Sequence, residues 1–472
     1  MTSLSDVSVL TTARNTIFMT KDQIIELEIT DLNNLGNGVG RYEGQVVFVR
    51  GAVSGDRVRA KLIKINKSFA VAKLLEITEP SKDRMSESFC SAPLSCGGCV
   101  YRHITYELEL ELKRSYVQAE FIKAGLPDVK VLPVLSTGRV NGYRNKAQYP
   151  VAKGKSGVYA GFYAAKTHNI TPAESCAIQN PKFCKILRCV CELAEENGWS
   201  VYDEESRTGL LRHIYLRVAE KTGQIMLCLV INGDKLPNEN GLVERINECF
   251  PDVVSVMINE NKENTNVVLG ESYRKLYGED GIEDELCGLR FFISPDSFYQ
   301  VNRDGAELLY GKAAELADLR GGEVLMDLYC GTGTIGLSMA DKARWLCGIE
   351  IVEGAVKCAR ENAARNGIKN ASFVCADAGD KDVILAAAGG VRPDVVVIDP
   401  PRKGSTKALV DCIAELGVPR VVYVSCGPDT LARDCAWFFE QGYLIGEVQP
   451  VDMFPRTGHV ESVVCLKRQI QQ

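Results

Sequence analysis

Hydrophobic positions change period along the chain, and the changes divide it. From Gln23 the pattern is short and mostly alternating. Ile24-Ile25-Glu26-Leu27-Glu28-Ile29, Val46-Val47-Phe48-Val49, Arg57-Val58-Arg59-Ala60-Lys61-Leu62 and Ala70-Val71-Ala72-Lys73-Leu74-Leu75 are broken by Gly-Asn-Gly and Ser-Gly-Asp turns. Brief period-two segments of this kind predict a small antiparallel barrel. Tyr106 to Ala124 changes to helical spacing and is closed by Gly125. From there to about Asp280 strands and helices alternate. The segment Gly142-Tyr143-Arg144-Asn145-Lys146-Ala147-Gln148-Tyr149 is predicted to be exposed, its aromatics and cations suiting either stacking on unpaired bases or a strand edge. After Gly321-Gly322 the text becomes regular, with strands at Val324 to Tyr329, Trp345 to Ile351, Ser372 to Ala376, Asp394 to Asp399 and Arg420 to Ser425. Helical stretches between them predict a doubly wound parallel sheet that takes an adenosine cofactor at its strand C-termini.

The polar, aperiodic start reads as a disordered leader over 1–20. A barrel over 21–80, a central α+β domain over 81–300 and a doubly wound, Rossmann-like domain over 301–472 complete a multidomain α/β protein. A chain of 472 residues exceeds one core, and 46% hydrophobic content suffices for each part. The 18 cysteines lack the setting of a small secreted disulfide scaffold. No basic start precedes an apolar run, and no stretch approaches the roughly 20 apolar residues of a membrane span. A reducing cytoplasm is therefore expected, with cysteines free for metal or catalysis. The net charge of -6 argues against a wholly basic nucleic-acid binder. Between Arg41 and Arg84, however, ten Lys/Arg face five Asp/Glu, which suits a phosphate-facing surface as well as a solvated barrel face.

Four motifs carry chemistry. Cys90, Cys96 and Cys99 form a C-x5-C-x2-C run with glycines that let the sulfurs converge, and Cys176 lies in an irregular polar segment able to supply a fourth thiolate. Zinc and an iron-sulfur cluster both accept such a set. Cys184, Cys189 and Cys191 fall instead in a helical stretch from Pro181, where core packing is the default. Gly331-x-Gly333-x-x-Gly336 follows a strand, and Glu350 ends the next strand 19 residues after Gly331, the distance at which a carboxylate reaches ribose hydroxyls. That fingerprint alone keeps an NAD-dependent oxidoreductase open. Two later features argue otherwise: Asp399-Pro400-Pro401-Arg402-Lys403-Gly404 at a strand end, and Ser425-Cys426-Gly427-Pro428. Cys426 ends a β-branched run where Pro428 opens a helix, so a helix dipole is expected to pull its thiol toward a thiolate. Gly427 is expected to permit a sharp turn.

Gly38-Val39-Gly40-Arg41, Gly44 to Val49, Gly55-Asp56-Arg57-Val58 and Lys64 to Ala70 resemble a TRAM domain, a small RNA-binding barrel. Asp327-Leu-Tyr-Cys-Gly-Thr-Gly, Asp399-Pro-Pro-Arg-Lys-Gly, Ser425-Cys426-Gly-Pro and Gly458-His-Val-Glu461-Ser-Val are similar to the RNA (uracil-5-)-methyltransferase family. Barrel and cysteine pattern together point to its large-subunit (23S) ribosomal RNA branch, on the view that the tRNA branch lacks both. The resemblance implies that Cys90, Cys96, Cys99 and Cys176 bind a [4Fe-4S] cluster. It also implies that Gln300, Tyr329, Glu350 and Asp399 contact S-adenosylmethionine.

The chemistry that follows is specific. Carbon 5 of uracil is a poor nucleophile, so Cys426 adds to carbon 6, the resulting enolate attacks the methyl sulfonium, and Glu461 removes the carbon-5 proton, its pKa raised by burial. The expected protein is a cytoplasmic, monomeric enzyme acting on 23S ribosomal RNA. A non-catalytic iron-sulfur RNA-binding protein remains the alternative from another class.

Overall fold

The computed structural model describes residues 19–93, 95–165 and 167–469, so the expected leader lies almost wholly outside the described residues. Two compact units result. Among the described residues, one runs to Ser86 and takes in His103–Thr105; the other is Glu87–Arg102 with those from Tyr106 onward.

The first unit is a closed barrel of five strands, Ile24–Leu32, Asn37–Tyr42, Gln45–Arg50, Arg57–Ile65 and Phe69–Glu79. Alternation turns Ile25, Leu27, Ile29, Val47, Val49, Val58, Ala60 and Leu62 inward. Asn37–Tyr42 takes in the last part of a Gly-Asn-Gly that reads as a turn in the sequence. Its glycines are strand residues in a crowded place, since a Cβ on Gly40 would lie 2.5 Å from the Glu28 carbonyl oxygen. Register sets Arg50 opposite Lys73 and Lys73 opposite Lys61, three cations abreast on three strands.

In the second unit the helix Tyr106–Lys123 follows its pattern, but its buried face holds Glu109 and Lys113 beside Val117 and Phe121. A seven-stranded, mostly antiparallel sheet follows, with Lys146–Gly154 in its interior between Leu211–Val218 and Gly157–Tyr163. The expectation of an exposed Gly142–Tyr149 segment is overturned. Tyr143, Asn145 and Tyr149 are fully buried. Mixed aromatic and basic text there records in-and-out alternation of an interior strand, and the Tyr143 hydroxyl donates to the Pro455 carbonyl at 2.9 Å. Helix Pro181–Glu196 starts at its Asn180 cap with proline in the first turn and buries Cys189 and Cys191 in the core.

The last sheet has the order Ala371–Cys375, Trp345–Glu350, Val324–Leu328, Val395–Ile398, Arg420–Ser425, Glu461–Arg468, Tyr443–Ile445, with Gln449–Val451 also on Glu461–Arg468. The first five strands are parallel and Glu461–Arg468 runs antiparallel to them. Order reverses between Val324–Leu328 and Val395–Ile398, the switch point where such sheets open a ligand crevice. One hydrophobic core runs from Tyr215 and Met257 of the central sheet to Leu325 and Val422 of this one. Among the described residues no helix is long and apolar enough to cross a membrane.

Candidate active site

The sheet brings the motif residues to one edge. Asp327 is in the first strand of the alternation, buried, and its Oδ2 accepts the Gly336 amide at 2.8 Å across the glycine turn. A Cβ on Gly336 would lie 2.6 Å from that oxygen, so only glycine closes the turn. Gly331 and Gly333 have φ of 55° and 82°, and Tyr329 holds φ of 62° without being glycine. Such strain at a strand end needs a surrounding structure that over-determines it. Glu350 spans the mouth, its Oε2 accepting from the Gly331 amide at 3.2 Å and its Oε1 from the Val352 amide at 2.9 Å. Gln300 is buried just before helix Arg303–Ala317. Its neighbour Phe298 accepts the Thr332 hydroxyl at 3.5 Å. Tyr329, Glu350 and Asp399 stand at the C-terminal ends of three adjacent parallel strands, and the segment that carries Gln300 reaches the glycine turn through Phe298. The helix after the glycine turn is only Thr334–Leu337. That is too short to offer the aligned dipole on which a dinucleotide pyrophosphate rests.

The second half of the site is the pair Cys426 and Glu461. Strands Arg420–Ser425 and Glu461–Arg468 are registered with Ser425 opposite Ser462. The ladder ends there, Cys426 follows Ser425 and Glu461 precedes Ser462, and the Glu461 charge acts on the Cys426 thiol. Asp399 ends the neighbouring parallel strand. Burial, then the Asp399 charge, pushes Glu461 up to about 8, and Arg402 opposes. The direction is that expected from sequence. For Cys426 the expectation fails. Its thiol is pushed up to about 11, by burial first and then by Glu461 and Asp399, against a smaller lowering by Arg402. Asp327 and Asp399 are each raised to about 7, burial again leading. The crevice is thus a buried cluster of acids short of positive charge. Gly427 caps the helix with φ of -129°, open to any residue, and a Cβ there would lie 2.7 Å from Thr430 Oγ1, so that hydroxyl would have to turn away.

Sequence reading missed what fastens the two loops. Asp434, buried on helix Pro428–Glu440, accepts the Tyr423 hydroxyl at 2.5 Å and the Ser405 amide at 2.7 Å. Arg433 donates to the Lys403 carbonyl at 3.0 Å. The Asp399–Ser405 loop is thereby tied to the helix that begins behind Cys426. The one signal for Asp434 is spacing: three residues after Leu431 and four before Phe438, it falls on the buried face of its helix.

Among the described residues no group of three or more His, Cys, Asp or Glu is arranged to hold a single metal ion. The four candidate thiols are nevertheless near one another. Cys99 is pushed up to about 12 by burial and then by the sulfurs of Cys176, Cys90 and Cys96, and the Ile178 and Gln179 amides donate toward Cys176.

A parallel sheet with one antiparallel strand, a glycine turn closed by a buried acid and a crevice at the switch point define an S-adenosylmethionine-dependent methyltransferase. The chain belongs to the tRNA (uracil-5-)-methyltransferase family, whose model matches residues 105–469, and a TRAM domain matches residues 20–75. It is 43% identical over 448 residues to an uncharacterized RNA methyltransferase of Clostridium tetani, covering 94% of this chain and 96% of that one. An uncharacterized RNA methyltransferase of Halalkalibacterium halodurans is 42% identical, with 95% and 97% covered. The Pyrococcus abyssi tRNA (uracil-54, C5)-methyltransferase, solved with S-adenosyl-L-homocysteine, superposes with a TM-score of 0.76 at 28% identity, over 93% of this chain and 99% of its own. So wide a match leaves no room for the barrel to fall outside it, and possession of a barrel does not separate ribosomal from transfer RNA enzymes. Family membership also replaces the oxidoreductase reading of Gly331-x-Gly333-x-x-Gly336.

Proposed function

We propose that this enzyme methylates carbon 5 of a uridine in 23S ribosomal RNA through a covalent bond between Cys426 and carbon 6. The observation that carries the chemistry is that Cys426 and the buried Glu461 stand at the end of the Ser425–Ser462 register, with the Glu461 and Asp399 charges acting on the Cys426 thiol. S-adenosylmethionine supplies an electrophilic methyl group on a sulfonium, a cation for which a cluster of raised acids is suited. Gln300, Tyr329, Glu350 and Asp399 hold it. Cys426 gives its proton to solvent and its sulfur adds to carbon 6, moving the ring π electrons toward the carbon-4 oxygen. Carbon 5 takes the methyl group as the sulfur–methyl bond breaks and S-adenosylhomocysteine leaves with the electron pair. Glu461, as carboxylate, then removes the carbon-5 proton, the ring double bond re-forms and the carbon-sulfur bond breaks to return the thiolate.

Cys90, Cys96, Cys99 and Cys176 would hold a [4Fe-4S] cluster. The sulfurs of Cys176, Cys90 and Cys96 all act on the Cys99 thiol, and four neighbouring thiols are the donor set such a cluster takes. Amides aimed at Cys176 are the kind of donor that stabilises cluster thiolates.

RNA binding is supported by Arg50, Lys73 and Lys61 abreast on the barrel. Like charges opposite one another destabilise a sheet, and a phosphate backbone laid over them offsets that repulsion. The Pyrococcus abyssi relative favours a second reading, transfer RNA. Mapping 5-methyluridine in ribosomal and transfer RNA from cells with and without the gene decides. Loss from 23S RNA alone is expected; loss from transfer RNA alone would overturn the ribosomal assignment.

A further inference from the structure

Glu461 is reached through the segment Asp452–Val460, and that segment is held to an unusual degree. The Asp452 amide donates to the Leu135 carbonyl at 2.8 Å. Its side chain accepts from Lys113 Nζ at 2.7 Å and from the Tyr106 hydroxyl at 2.6 Å. Asn302 donates to the Met453 carbonyl at 3.0 Å, Lys113 to the Phe454 carbonyl at 3.2 Å and Tyr143 to the Pro455 carbonyl at 2.9 Å. At Arg456 the backbone is strained, with φ of 71° on a residue that has a Cβ. Strain of this kind persists only under constraint.

The constraint on Arg456 comes from two directions. Its amide donates to Glu109 Oε1 at 2.7 Å, and its guanidinium lies 3.6 Å from Glu109 Oε2. From the other side comes the segment that carries the cysteines. The Tyr101 amide, two residues after Cys99, donates to the Arg456 carbonyl at 3.1 Å. The ring of Phe89, next to Cys90, lies 5.0 Å from the centre of the guanidinium, with Tyr106 at 5.5 Å. Both ends of the Cys90–Cys99 run therefore rest on one buried, strained arginine five residues before Glu461.

We infer that Arg456 is a positioning residue for proton abstraction, through which the cysteine-bearing segment sets the place of Glu461. The inference rests on the reading of Glu461 as the base and extends it. In the mechanism the order of steps makes the consequence specific. Addition of Cys426 and methyl transfer do not require Glu461, whereas removal of the carbon-5 proton does. A displaced Glu461 leaves the first two intact and slows the third.

The test compares wild type, Arg456→Lys, Phe89→Leu and Glu461→Gln, purified anaerobically, with ribosomal RNA and S-adenosylmethionine. Phe89 is half-buried, so Phe89→Leu keeps the fold testable where an Arg456 change disturbs it. Release of 5-methyluridine should fall by roughly 10- to 100-fold in the Arg456 and Phe89 variants. Methylated RNA bound covalently to protein should accumulate on denaturing gels, as in Glu461→Gln, with iron content and melting temperature at wild-type values in Phe89→Leu. A general loss of stability would slow every step and trap nothing. Folded variants that release product at the wild-type rate, or that slow without trapping RNA, overturn the inference. If Glu461→Gln itself traps nothing, the assignment of the base fails first.

Discussion

At the residue scale the decisive quantity is charge in a buried place. Cys426 stands against the first turn of a helix, which by itself lowers a thiol, yet burial and two carboxylates raise it to about 11. The thiol is therefore protonated in the free protein at neutral pH, and so for the most part is Glu461 at about 8. The proposed mechanism needs both in their basic forms. Release of methylated RNA in a single turnover should thus rise with pH through about pH 8, where Glu461 loses its proton, and go on rising toward about pH 11, where the Cys426 thiol does. Arg402 is the cation that lowers both groups, so Arg402→Ala should move the rise to higher pH. A flat profile, or a shift to lower pH in the variant, would contradict this assignment of acid and base. The sequence names the residues but not this balance. Spacing reveals a helix start next to Cys426, whereas the depth of the pocket and the facing of Asp399 and Glu461 depend on strands up to 62 residues apart in the chain.

At the element scale, what is legible in the sequence is what local pattern controls. Arg420–Ser425, the helix opened by Pro428 and the helix from Tyr106 follow directly from periodicity and caps. Glycine is the recurrent source of misreading, because it marks both turns and crowded strands. Asn37–Tyr42 is the strand case. Buried polar groups are the other source, since Glu109, Lys113 and Asp434 look like surface residues until their partners arrive from distant segments. Gly404 joins both themes. It has φ of 76°, and a Cβ there would lie 2.6 Å from Arg433 Nη2 and 2.7 Å from Asp434 Oδ2. Gly404→Ala should destabilise by more than about 1 kcal/mol and loosen the Asp399–Ser405 loop. Thermal melting should fall and S-adenosylmethionine should bind more weakly in calorimetry. Unchanged melting and affinity would mean that the loop is not fixed through Asp434.

At the scale of the whole molecule, a TRAM barrel and a methyltransferase of the uracil-5 family are carried on one chain, and the family fixes the class of reaction while leaving the RNA open. Binding of RNA by the barrel and chemistry at Cys426 are separable in principle. The chemical core of the proposal stands on a bond that forms and breaks within one cycle. It is tested most directly by stopping the cycle while the bond exists. Glu461→Gln protein, incubated with S-adenosylmethionine and ribosomal RNA, should yield after nuclease and protease digestion a Cys426 peptide heavier by one methylated uridine nucleotide. Cys426→Ala in the same reaction should yield no adduct and no 5-methyluridine. An adduct on any other residue, or 5-methyluridine formed by Cys426→Ala, would contradict the mechanism.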